Sequence, residues 1–114
     1  MPSRTTLSIR MADNGTVAAP AIEMPERQYL AGIVIPAGWV AADLTFQGSA
    51  DGTDFYDVYD EFDAEVVVQA AASRYIILDP AKFMNFGWIK VRSGTTATPV
   101  TQTGGPLELV AVLI

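Results

Sequence analysis

The segment from Leu44 to Tyr59 constrains the fold of this 114-residue chain most, because it joins two β-patterned runs through a tight turn. Both runs are rich in Thr, Phe, Tyr and Val, residue types that suit a half-buried pleated surface. Asp51 and Gly52 lie between the runs, and glycine adopts the positive φ of a hairpin turn without a Cβ clash. The segment therefore predicts a pair of antiparallel strands.

Similar apolar runs, separated by Gly, Pro and Asp, predict about eight strands at a spacing of roughly 8–12 residues. The clearest runs are residues 5–11, 28–35, 42–48, 55–59, 65–69, 74–78, 88–92 and 107–114. Asp79 followed by Pro80 predicts the start of a short helical turn. We expect an all-β fold, a single antiparallel β-sandwich of the jelly-roll type over residues 1–114. Residues 1–27 form either an extended N-terminal arm or an edge strand.

The alternation within these runs also predicts which residues fill the core. In the run 88–92, Ile89 and Val91 are expected to face inward, whereas Trp88, Lys90 and Arg92 face outward. The predicted core consists largely of Ile33, Ile35, Leu44, Phe46, Val66, Val68, Ile77, Ile89, Val91 and Leu109.

The composition excludes several classes of chemistry. The chain contains neither cysteine nor histidine, which rules out disulfides, thiolate metal sites, histidine–zinc sites and the common nucleophile–histidine pairs. We therefore expect no catalytic residue, no cofactor and no enzymatic activity. A net charge of -6 argues against a nucleic-acid partner, since that affinity depends on Lys and Arg. No secretion signal or membrane-spanning apolar segment is recognisable, so we expect synthesis in a cytoplasm and no membrane partner.

Seven of the thirteen acidic residues lie between Asp51 and Glu65. Clustered carboxylates can bind calcium, and Asp51, Asp54 and Asp57 are the candidate ligands. Their spacing differs from that of the helix–loop–helix calcium loop, and nearby carboxylates on a strand can point to opposite faces. An acidic edge that deters strand-on-strand aggregation explains the cluster without a metal, and we predict no metal site.

Aromatic residues offer a second candidate site. Trp88 and Tyr56 could form a platform on which sugar rings stack, because Trp88 belongs to an alternating run that directs it outward. The alternative is that these rings fill the core or a contact between subunits.

The last apolar run, residues 107–114, contains a single polar residue, Glu108. Either both faces of this strand are covered within the domain, or another subunit completes one face or edge. We expect a homo-oligomer in which this strand, or the proline-interrupted segment 16–25, adds to the sheet edge of a neighbour. The candidate interface residues are Val17, Ile22, Val110, Val112 and Ile114.

Three segments together carry a resemblance to a known family. They are residues 48–55, with a Ser-Ala-Asp-Gly turn, residues 73–78, with Arg-Tyr-Ile-Ile-Leu, and residues 88–94. This pattern resembles discoidin-like (coagulation factor 5/8 type C) sandwiches, in which a Ser-x-Asp-Gly hairpin is followed by an Arg-Tyr-Ile-type strand. Over roughly residues 40–114, in a short cysteine-free chain, it also resembles small virion proteins of tailed bacteriophages.

The phage resemblance implies a structural role in the virion. It implies a capsid decoration (cement) or head-spike base protein, which stabilises the phage head through contacts with the major capsid protein or other virion proteins. The discoidin resemblance implies the alternative, a carbohydrate-binding adhesion module of a virion or cell surface. The chain lacks the two terminal cysteines of discoidin domains, which favours the phage interpretation.

Overall fold

A computed structural model describes residues 4–25 and 27–114 of the chain. These residues form eight β-strands and one short 3₁₀ turn, Pro80–Phe83. The strands are β1 (Thr5–Met11), β2 (Ile22–Glu23), β3 (Leu30–Ile35), β4 (Leu44–Ser49), β5 (Tyr56–Asp57), β6 (Arg74–Ile77), β7 (Trp88–Ser93) and β8 (Leu107–Leu113).

The strands form two four-stranded antiparallel sheets. The first sheet has the order β1-β8-β3-β6, and the second has the order β2-β7-β4-β5. The first strand thus pairs with the eighth, the second with the seventh, the third with the sixth and the fourth with the fifth. This nested pairing is that of a long hairpin rolled into two layers, which is the jelly-roll arrangement. The predicted all-β sandwich is confirmed.

The hydrophobic core lies between the two sheets. Ile9, Ile33 and Leu109 contribute to it from the first sheet, and Phe46 and Ile89 contribute from the second. The 3₁₀ turn closes one side of this core, because the Phe83 ring packs edge-on against Phe46 with ring centroids 5.2 Å apart. The turn begins as predicted: Asp79 Oδ1 accepts a hydrogen bond from the Ala81 N–H at 3.0 Å.

One predicted core residue is misplaced. Ile77 is 87% exposed, and its register partner on β3 is Gly32. Ile76 pairs with Ile33 and packs against the core, so the strand has the opposite phase to the predicted one. The run Ile76-Ile77-Leu78 is apolar throughout, and without polar alternation nothing in the sequence sets which residue faces inward.

Residues 65–69 also differ from their predicted strand. Val66 and Val68 pack partly buried against the core, but they belong to an extended segment that isolated bridges hold beside β4 and β5. Val68 exchanges backbone hydrogen bonds with Leu44, and the Val66 N–H donates to the Val58 carbonyl. The segment therefore crosses the end of the second sheet without becoming a full strand.

The N-terminal region is part of the sandwich. β1 pairs with β8 along its whole length, from Thr5 opposite Leu113 to Met11 opposite Leu107. β2 pairs with β7, so β1 and β2 each form one edge of their sheet, and β6 and β5 form the opposite edges. Within the described ranges, no helix has the length and apolar character needed to cross a membrane.

Candidate functional site

The outward face of the second sheet carries a buried ionic cluster centred on Arg92. Arg92 is only 5% exposed, and its Nη1 donates to Asp57 Oδ1 at 2.8 Å while Nη2 donates to Glu65 Oε2 at 2.8 Å. Its Nε donates to Thr45 Oγ1 at 2.9 Å, and Nη2 also donates to Thr96 Oγ1 at 2.7 Å. Sequence analysis placed Arg92 on the outward face correctly, but it missed these partners because they lie on distant segments.

Asp57 is held in its ionised form by this cluster. Partial burial alone would raise the pKa of Asp57, but hydrogen bonds from Arg92, Gln47 and Thr96 outweigh it and hold the pKa below its ordinary value. A carboxylate bound in this way is neither a general acid at neutral pH nor a free ligand for a cation. The arrangement joins segments of the second sheet.

The other calcium candidates do not join Asp57. Asp51 Oδ1 accepts hydrogen bonds from the N–H groups of Thr53 (2.8 Å) and Asp54 (2.9 Å) and from the Ser49 hydroxyl (3.0 Å). These bonds lower the pKa of Asp51 and shape the turn after β4. In residues 4–25 and 27–114, no group of three or more acidic side chains is placed to hold a metal ion.

The two aromatic candidates lie on opposite faces of the second sheet. Trp88 pairs with Ser49 and points outward as predicted. Tyr56 pairs with Gly48, the neighbour of Ser49 on β4, and therefore points to the opposite face of the sheet. Gly52 lies against the Trp88 ring, since a Cβ at Gly52 would be 2.9 Å from Cε2. Trp88 is consequently half-covered and Tyr56 is 71% exposed on the other side, so the two rings do not form one platform.

A cleft of about 560 Å³ lies beside the acidic connector instead. Its lining combines the exposed Tyr59 ring with the carboxylates of Asp60 and Glu61 and with the side chains of Lys82 and Asn85. An aromatic ring beside several hydrogen-bonding groups is a suitable surface for a polar ring such as a sugar. No local sequence pattern marks this cleft, because Lys82 and Asn85 come from the region of the 3₁₀ turn, far along the chain from Tyr59.

The outward face of the first sheet is apolar over β8, β3 and β6, whereas the edge strand β1 contributes the polar residues Thr6, Ser8 and Arg10. In the register of β8, β3 and β6, two rows of side chains cross this face. One row is Val110, Val34 and Tyr75, and the other is Val112, Gly32 and Ile77. The Tyr75 ring lies over Gly32, because a Cβ there would be 3.1 Å from Tyr75 Cε1. We call Val34, Tyr75, Ile77, Val110 and Val112 the outer apolar face.

The predicted interface residues are separated by the fold. Ile22 is 2% exposed and belongs to the core, so it is not available as a contact. Val17 is half-buried and bridges to Arg92, while Ile114 is exposed. Val110 and Val112 belong to the outer apolar face, where Val112 is nearly covered.

The C-terminal strand cannot add to the sheet of a neighbour, contrary to expectation. β8 lies between β1 and β3, and both of its edges are already paired. An added strand needs a free row of backbone groups, which β8 lacks. Only its outward side chains are available to a partner.

Comparisons with protein families, with characterised proteins and with solved structures give no significant match to this chain.

Proposed function

We propose that the chain is a non-enzymatic structural protein of a virion, a capsid decoration or head-spike base protein that stabilises a phage head by protein–protein contacts. The outer apolar face carries this proposal. A solvated sheet face ordinarily carries polar side chains, and an exposed apolar patch marks a contact surface. Tyr75 and Ile77 are 60% and 87% exposed on this face. Jelly rolls are also a common architecture of viral capsid domains, which supports the proposal by analogy of fold.

Charge also supports a partner of this kind. The chain carries a net charge of -6, and Asp60, Glu61 and Asp63 are exposed in the acidic connector. Like charges keep free copies soluble before assembly, and they favour a shell surface with basic patches. The proposed partner is therefore the major capsid protein or another virion protein.

Three carboxylates of the acidic segment are engaged in contacts within the fold. Asp57 and Glu65 are engaged by Arg92, and Asp51 is engaged by its own turn. None of these carboxylates is left as a free acid or base in an apolar pocket, as hydrolytic chemistry would require.

Binding to capsids tests the proposal. Heads of the encoding virus, prepared without this protein, are mixed with the native chain and with two variants, Val110→Lys and Val67→Lys. Val110 is on the outer apolar face, whereas Val67 is an exposed valine of the cleft lining and serves as the matched control. We expect the native chain and Val67→Lys to co-sediment with heads and raise their melting temperature, and Val110→Lys to lose at least tenfold in affinity. Equal binding by both variants, or no binding by the native chain, would contradict the proposal.

The Tyr59 cleft favours one second candidate, a carbohydrate-binding module of a virion or cell surface. In that case a glycan array would show binding that Tyr59→Ala abolishes and Tyr56→Ala leaves unchanged, since Tyr56 is outside the cleft lining. A blank array with intact capsid attachment would leave the structural role as the function.

A further inference from the structure

Strand β6 is an edge with unused hydrogen-bonding groups. It has a single sheet neighbour, β3, and the Leu78 N–H donates to the Ala31 carbonyl just beyond the strand. Backbone groups of an antiparallel strand alternate between its two sides. The groups of Arg74 and Ile76 therefore point towards β3, and those of Tyr75 and Ile77 point away from the sheet.

The same two residues present apolar side chains on the outer apolar face. Ile77 is the most exposed large hydrophobic residue of the described chain. Natural edge strands are usually protected by a charge, a proline or a bulge, because a bare edge templates pairing with another chain. β6 carries one charge, at its first residue, Arg74, and the next proline is Pro80. Apart from its short length of four residues, the edge has this one charge as protection against pairing with another chain.

We propose that two copies of this chain pair antiparallel through β6, with the two-fold axis at Ile76. This register places Tyr75 of each copy opposite Ile77 of the other. Both residues have outward backbone groups, so each of the two pairs exchanges two N–H to C=O hydrogen bonds. The Tyr75 and Ile77 side chains also share one face, so each pair packs an aromatic ring against a β-branched side chain.

Charge complementarity supports a second copy as the partner. Arg74 is the first residue of the strand and Asp79 lies two residues beyond its end, so the proposed register places Arg74 of each copy opposite Leu78 of the other, next to Asp79, at both ends. The Arg74 guanidinium is exposed, and its hydrogen bonds go to the backbone carbonyls of Ala72 and Ser73. It can reach a carboxylate of the second copy without breaking an ion pair.

The pairing would join two first sheets into one eight-stranded sheet, with β6 of each copy at its centre. The outer apolar faces of both copies then become continuous, which doubles the surface offered to a shell. The inference deepens the proposed function and rests on it for its biological meaning, but self-association can be measured without a capsid.

Solution mass tests the pairing. The full chain has a mass of 12.2 kDa, and light scattering after gel filtration should give twice that value. Ile77→Pro removes an outward N–H that β3 does not use and should halve the measured mass. The control, Tyr56→Lys, changes an exposed residue on an edge strand of the other sheet and should leave the dimer intact. Circular dichroism confirms that each variant is folded.

A cysteine tests the register. The chain has no cysteine, and the proposed axis places the two Ile76 residues directly opposite each other at disulfide distance. Ile76→Cys should form a disulfide-linked dimer under mild oxidation, whereas Tyr56→Cys should not. A monomer at millimolar concentration, or equal cross-linking by both variants, would overturn the pairing. A monomer that still attaches to capsids would overturn this inference alone, and a β6 dimer that does not attach would overturn the proposed function alone.

Discussion

The Arg92 guanidinium donates to the Asp57 carboxylate at 2.8 Å and so joins β7 to β5 across the intervening strand β4. This contact compensates for a weak strand, because β5 pairs with β4 through only two residue pairs, Gln47 with Asp57 and Gly48 with Tyr56. The second carboxylate of the cluster, Glu65, fastens the end of the acidic connector to the same arginine. One side chain thus holds three segments of the second sheet together.

Replacing Arg92 with Met should destabilise the fold strongly. The substitution leaves the partly buried carboxylates of Asp57 and Glu65 without their cation, which costs about 3 kcal/mol in the free energy of unfolding. Lys90→Met is the control on the same strand; its ammonium lies 4.2 Å from the Phe55 ring centroid, a contact of up to about 1 kcal/mol. Urea denaturation measures both values, and equal losses would contradict the bridging role of Arg92.

Stability should fall as the solution becomes acidic. The pKa of Asp57 is lower in the folded chain than in the unfolded one, so the unfolded state binds more protons between these two values. The contribution of Asp57 is fully present above the unfolded pKa and is lost as the pH falls through the folded one. Asp57→Asn should be less stable than the native chain at neutral pH and should show a flatter decline in acid. Melting temperatures of both proteins, measured from neutral pH to below the pKa of Asp57 in the folded chain, test whether stability falls with pH as expected.

Gln102 should contribute as much to the stability of the fold as an apolar core residue does. It is fully buried, its Nε2 donates to the Val40 carbonyl at 2.9 Å, and its Oε1 accepts from the Val40 N–H at 2.7 Å. Gln102→Met keeps the volume but leaves both backbone groups without a partner, at a cost of about 2 kcal/mol. The exposed Gln69→Met is the matched control and should change the unfolding midpoint little. Equal unfolding midpoints for the two variants would show that Gln102 does not anchor the connection between β3 and β4, which contains Val40.

Alanine substitutions at Gly52 and Gly104 distinguish the cost of a steric contact from the cost of a strained backbone. Both have positive φ, at 82° and 96°, but an added Cβ contacts the Trp88 ring only at Gly52 and meets nothing within 4 Å at Gly104. Gly104→Ala should cost about 1 kcal/mol from left-handed strain alone. Gly52→Ala should cost more and shift the tryptophan emission. Identical unfolding curves for the two variants would mean that Gly52 does not support the ring.

The facing of β7 could be predicted from sequence, because Trp88, Lys90 and Arg92 alternate with Ile89 and Val91. The facing of β6 could not be predicted, because Ile76, Ile77 and Leu78 are all apolar and no polar alternation shows which of them point inward. The prediction that Ile77 belongs to the core is wrong for this reason.

The ionic cluster was also beyond sequence reasoning. The partners Asp57 and Glu65 are 35 and 27 residues from Arg92, and nothing local marks them among seven clustered acidic residues. The same holds for Gln102, whose partner Val40 is 62 residues away. Local patterns predict elements and their faces, whereas these contacts depend on how the sheets are stacked.

The position of β8 between β1 and β3 has a consequence for how the chain acquires its structure during synthesis. β1 has no other sheet partner, so the first sheet stays open until Leu107–Leu113 has left the ribosome. Until then β1 has no strand of its own sheet beside it, and of the four nested strand pairs only the β4–β5 hairpin joins consecutive strands. Closing such long loops is entropically costly and slow. We therefore expect the first sheet to be completed late, after β8 emerges, because only then can β1 join it.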